Sequence, residues 1–72
     1  MNPEYIRELL KLTRVNSKDV TEATIDHLCC GETQLEAAQA HGVQQEAVAR
    51  LVKRLRSLDA IVTKAMEEKN KK

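Results

Sequence analysis

The stretch LEAAQAHGVQQEAVARLVKRLR, Leu35 to Arg56, decides the fold: it holds two apolar-patterned segments around one glycine and then turns basic. Gly42 supplies the left-handed backbone that ends a helix and turns the chain, so a short helix reaches about His41 and another starts near Gln45. Upstream, Thr33 to Glu36 spells T-x-x-E, a capping box in which the threonine oxygen and the glutamate carboxylate each take an orphaned backbone donor. Downstream, neither glycine nor proline interrupts Gln45 to Glu68. The apolar residues Val48, Leu51, Leu55, Leu58, Val62 and Ala65 alternate spacings of three and four there, which gathers them on one side of a long helix. At ~100° per residue the opposite side holds Glu46, Ala49, Arg50 and Lys53, flanked by Gln45 and Arg56.

Toward the N-terminus, Asn2, Pro3 and Glu4 give an N-cap, a first-turn proline and an acid that suits the helix dipole. The helix they start carries Tyr5, Ile6, Leu9, Leu10 and Leu12 as its apolar stripe and should end between Thr13 and Asn16. Ser17 caps a second helix, with Val20, Ala23, Ile25, Leu28 and Cys29 on its buried side and Gly31 as its stop. The whole chain, 1–72, reads as one all-α domain of four to five helices. Two glycines, one proline and one aromatic among 72 residues argue against a β fold. That length is at the low end of what one core stabilises, so a partner subunit is expected. A C-terminal segment of about 57–68 supplies it, with Leu58, Ile61, Val62, Ala65 and Met66 as the oligomer interface, unless the helix breaks near Ser57 to Asp59 and folds back.

No run approaches the ~20 apolar residues of a membrane span, and no signal pattern opens the chain, so a cytoplasmic location is expected. Cys29 and Cys30 are adjacent, poorly placed to bridge each other, and with His27 and His41 match no spaced metal pattern; they are expected as small buried hydrophobes. No metal, cofactor or small-molecule ligand is expected. No nucleophile–base pair, phosphate-cradling glycine loop or carboxylate pair stands out, so the chain does not read as an enzyme.

Net charge is only +1, but it is unevenly spread. Residues 1–43 hold four basic and seven acidic residues, giving −3, and residues 44–72 hold eight and four, giving +4. A domain with one side facing a polyanion has this asymmetry, and a solvated charged helix produces part of it. Two helices around a glycine turn, the second basic, are the requirements of a helix-turn-helix over about 33–56. Ala38, with Ala37 beside it, is small enough for the crossing, while Val43, Val48 and Leu51 are its apolar pins. An αα-hairpin in a plain bundle would use the same residues, but its solvent side would mix Glu with Lys rather than group Arg50, Lys53, Arg54 and Arg56.

In double-stranded DNA, Gln44 and Gln45 would reach base edges and Arg50 a guanine or a phosphate; Ala49 would permit close approach. Lys53, Arg54 and Arg56 would hold phosphates, and Thr33 and Gln34 would offer backbone donors to another. Glu46 complements the helix N-terminus, reads a cytosine amino group or deters wrong bases. A different class keeps the same helices as a protein-interaction adaptor or a sigma-region-like module that contacts RNA polymerase, through the Glu-rich residues 4–36.

NSKDVTEATIDHLCCGETQLEAAQAHGVQQEAVARLVKRLRSLDAIVTKA, within the span from about Leu9 to Ala65, resembles the PapB family of fimbrial-operon transcription regulators of enteric bacteria. The likeness is carried by L-x-x-G at Leu28 to Gly31, the alanine-rich helix to Gly42, and R-L-x-x-L-x-A-I at Arg54 to Ile61. Through GVQQEAVARLVKRL the chain is more loosely similar to plasmid repressors of the KorA type. The resemblance implies a bacterial, nucleoid-associated repressor or activator of adhesin or plasmid genes that forms oligomers at several promoter-proximal sites. It also implies A·T-rich sites with minor-groove contact, whereas the basic helix by itself implies the major groove. This chain is shorter than typical members at both ends and nearly lacks aromatics.

Overall fold

Local side-chain caps set where the first three helices start. Asn2 Oδ1 accepts the Tyr5 N–H at 2.7 Å, Ser17 Oγ accepts that of Val20 at 3.3 Å, and Thr33 Oγ1 accepts that of Glu36 at 3.0 Å. From these caps run α1 (Pro3–Leu10), α2 (Lys18–Cys30) and α3 (Gln34–Ala40), followed by α4 (Gln45–Asn70). The computed structural model describes residues 2–71, and among them these four helices are the regular structure, with no strand. α4 continues through Ser57 to Asp59 without a break, so the described residues contain no fifth helix and no fold-back. At 1.5 Å per residue it is roughly 39 Å long, most of the 47 Å longest dimension of the molecule.

The expected α1 is longer than the observed one. It ends at Leu10, and Leu12 N–H to Leu9 O and Thr13 N–H to Leu10 O carry only a turn further. Leu12 consequently leaves the apolar stripe and is 58 % exposed.

Two apolar clusters meet on α4. Ile6 and Leu9 of α1, Ile25 of α2, and Leu51 and Leu55 of α4 form one, with Tyr5, Val20, Cys29, Leu58 and Val62 packed at its margin. Ala23, Ala37, Ala38, Val48 and Val52 form the other, with Val43 beside it. Leu28 touches both clusters and joins them. This division corrects the expected pins: Val48 and Val52 fix the crossing of α3 and α4, whereas Leu51 faces α1 and α2. The three-and-four stripe omitted Val52, although it is only 3 % exposed. A core-facing helix covers an apolar arc of 100° or so rather than a narrow seam, and Val52 lies on the alanine side of that arc. Thr24 is also fully buried, its hydroxyl donating to Val20 O at 2.8 Å within its own helix, which satisfies the polar atom where the sequence pattern shows no apolar residue.

A long-range hydrogen bond ties the ends together. Tyr5 OH donates to Asp59 Oδ1 at 2.6 Å, and the loss of that bond on ionisation holds the phenol above its ordinary value. Cys29 is half-buried but Cys30 is exposed, which corrects the expectation that both pack inside.

Candidate nucleic-acid interface

Gly42, at φ +66°, lets the chain reverse after α3. Val43 N–H donates to Ala38 O at 3.0 Å and Gly42 N–H to Gln39 O at 3.3 Å, the paired bonds of a Schellman turn. Val43, just past the glycine, then packs against the alanine cluster, so the turn is fixed on both its polar and its apolar side. Ala37 and Ala38 are fully buried at the crossing, where larger side chains would separate α3 from α4.

α4 emerges from this turn with its first residues in solvent. Gln44 is its N-cap by backbone conformation, yet its side chain makes no capping bond. The amides of Gln44 and Gln45 and the carboxylate of Glu46 are therefore exposed beside the dipole-positive end of a 26-residue helix. One to three turns on, Arg50, Lys53, Arg54 and Arg56 are exposed, and Ala49 is half-buried. None of these four cations enters an ion pair among the described residues, in contrast with Arg7 (3.2 Å from Glu22), Lys11 (2.7 Å from Glu8) and Lys71 (3.4 Å from Glu68). About 100° per residue puts Arg50 and Arg54 on one flank of the exposed face, Lys53 nearby, and Arg56 on the far flank. The group is a broad cationic surface rather than a single row.

Thr33 and Gln34 stand differently. Thr33 Oγ1 accepts from Glu36 N–H while Glu36 Oε1 accepts from Thr33 N–H, both at 3.0 Å, so the capping box occupies the Thr33 donor expected for a phosphate. Those bonds from Thr33, the backbone one foremost, hold the Glu36 carboxyl below its ordinary range. The start of α3 thus carries its own negative charge, and Gln34 is half-buried. Behind the turn, His41 Nε2–H donates to Asp26 Oδ2 at 2.6 Å and links α3 to α2. That bond raises the imidazole above its ordinary value against the opposing effect of desolvation, with the charges of Asp26, Asp19 and Glu22 adding to the rise. His27 donates from Nδ1 to Glu32 O at 2.7 Å; a carbonyl only accepts, which fixes the tautomer. Neither histidine belongs to a metal-holding group among the described residues.

Sequence pattern did not bring one feature forward. A cleft of about 320 Å³ lies between α4 and the chain that enters α2, lined by Val15, Asn16, Ser17, Val20, Ala47, Arg50 and Leu51. Its signal in the sequence is Arg14 to Lys18, RVNSK, a window with two cations and no acid inside the acidic half of the chain.

The expected oligomer interface is split by the fold. Leu58 and Val62 are half-buried at the margin of the cluster built on Ile6 and Leu9, so α1 covers part of the stripe thought to be bare. Ile61, 65 % exposed, Met66, 50 % exposed, and Ala65 remain open on the α4 segment. No described helix is long and apolar enough to cross a membrane. No family model, curated protein or solved structure matches the chain.

Proposed function

We propose that the protein is a DNA-binding transcriptional regulator, with α3 and α4 as a helix-turn-helix and α4 presented to double-stranded DNA. Gln44 and Gln45 address base edges in this reading, Arg50 a guanine or a phosphate, and Lys53, Arg54 and Arg56 hold phosphates. Two copies associate through Ile61, Ala65 and Met66, which would set two recognition helices at a fixed spacing on the duplex. Promoter-proximal binding in a bacterial cytoplasm, after the manner of the PapB family, comes from the sequence resemblance.

The observation that supports this best is the group of four exposed cations on α4 with no acidic partner, beside an uncapped helix start, on the side away from both clusters. A helix kept only for a bundle gains a few tenths of a kcal/mol from each i,i+4 ion pair, and this face forgoes them among the described residues. Fluorescence anisotropy with a labelled duplex, titrated with salt, tests the proposal. Log K should fall linearly with log salt, by roughly 0.9 for each phosphate neutralised. Arg50→Ala should weaken binding far more than Lys71→Ala. Equal losses, or binding indifferent to salt, would refute it.

A further inference from the structure

The acidic half of the chain contains four cations, Arg7, Lys11, Arg14 and Lys18. Two of them are spent internally, Arg7 on Glu22 and Lys11 on Glu8. Arg14 and Lys18 are exposed and enter no ion pair among the described residues. They bracket Val15, Asn16 and Ser17, which form one wall of the 320 Å³ cleft, and the facing wall is Ala47, Arg50 and Leu51 of α4. The fold thus sets the segment between the unpaired cations of the acidic half against the first turns of the helix that carries the basic half, with Arg50 on the facing wall.

We propose that the Arg14–Lys18 segment is a second DNA-contacting arm, which holds the sugar–phosphate backbone of the duplex strand that runs beside α4. The inference rests on the DNA-binding reading of α4 and extends its surface to residues of another element. Charge complementarity selects the occupant: Arg50 lines the cleft, Arg14 and Lys18 flank in sequence the segment that forms its other wall, and no acidic residue lines it. The apolar floor of Val15, Val20, Ala47 and Leu51 suits the carbon face of a deoxyribose, and Asn16 offers a neutral donor to a phosphate oxygen. Arg50 at the rim then grips a phosphate, leaving base-edge recognition to Gln44 and Gln45.

The test compares three forms of the full chain by anisotropy on a mixed-sequence duplex over a salt series: wild type, the double variant Arg14→Gln/Lys18→Gln, and Lys69→Gln/Lys71→Gln as a control with the same charge loss at the far end of α4. All four positions are exposed, so helical circular dichroism should be unchanged. The arm variant should lower the salt slope by roughly 1.8, the loss of two phosphate contacts, while the control stays near wild type. An arm variant indistinguishable from the control, with wild type still binding and Arg50→Ala still impaired, overturns the arm alone. Wild type that binds no duplex overturns the arm together with the function of α4. Wild type that ignores duplex but binds phosphatidylglycerol vesicles through Arg14 and Lys18 overturns the choice of occupant.

Discussion

Val52 and Ile61 are both β-branched aliphatic residues of α4, and the fold assigns them opposite fates. Val52 is 3 % exposed in the cluster that sets the α3–α4 crossing, and Ile61 is 65 % exposed. Truncating Val52 to alanine removes two carbons from a packed site at ~0.8 kcal/mol each, and the residual cavity raises the cost to about 2–3 kcal/mol. Alanine's better helix propensity returns about 0.5 kcal/mol, so the net loss should be near 2 kcal/mol. For 72 residues total stability is of the order of 4–11 kcal/mol, which makes this a large fraction. Ile61→Ala, with little burial to lose and the same propensity gain, should leave a dilute sample within about 0.5 kcal/mol of wild type. Urea unfolding followed by helical circular dichroism, at low and high protein concentration, measures both. If copies associate through Ile61, its variant should lose stability relative to wild type only at high concentration, and light scattering should show the lower mass. A Val52→Ala loss under about 1 kcal/mol, or an Ile61→Ala loss as large in dilute sample, would refute the assignment of the two faces.

Gly42→Ala places a Cβ in open space but at φ +66°, so it should cost about 1–2 kcal/mol through the backbone alone, measured by the same unfolding curve. Thr33→Ala removes the hydroxyl acceptor of the Glu36 N–H, leaves the backbone half of the capping box, and should destabilise by about 1 kcal/mol; if Thr33 instead serves DNA, duplex affinity will fall while stability holds. His41 donates to Asp26, and its proton is held above the ordinary imidazole value of 6.5. A raised folded value means that the stabilisation is complete below about 6.5 and is lost as pH rises through the higher folded value. Unfolding curves of His41→Asn should lack that decline, and a wild type equally stable across the window would exclude the link.

Much of the helix layout was legible in the sequence because its signals are local. Asn2, Ser17 and Thr33 each bond a backbone donor within three residues, and the φ of Gly31 and Gly42 is a property of one residue. The basic face of α4 was legible for the same reason, since the helical period fixes which side chains share a side. Periodicity does not say which flank of an apolar arc meets which neighbour. That Val52 belongs with Ala38, that Leu51 faces α1, and that Leu58 and Val62 are partly covered are consequences of where α1 and α2 dock. Leu12 was misplaced because α1 ends at Leu10, and the cleft joining Ser17 to Arg50 exists only once α2 lies against α4.

By itself, then, the sequence determined an all-helical chain, its caps and its charged face, because each depends on residues within a turn or two of one another. The tertiary structure decided which apolar residues are covered and which cations are left unpaired. It also brought Val15, Asn16 and Ser17 across the cleft from Arg50, because burial and charge pairing depend on residues remote along the chain, as Tyr5 and Asp59 are.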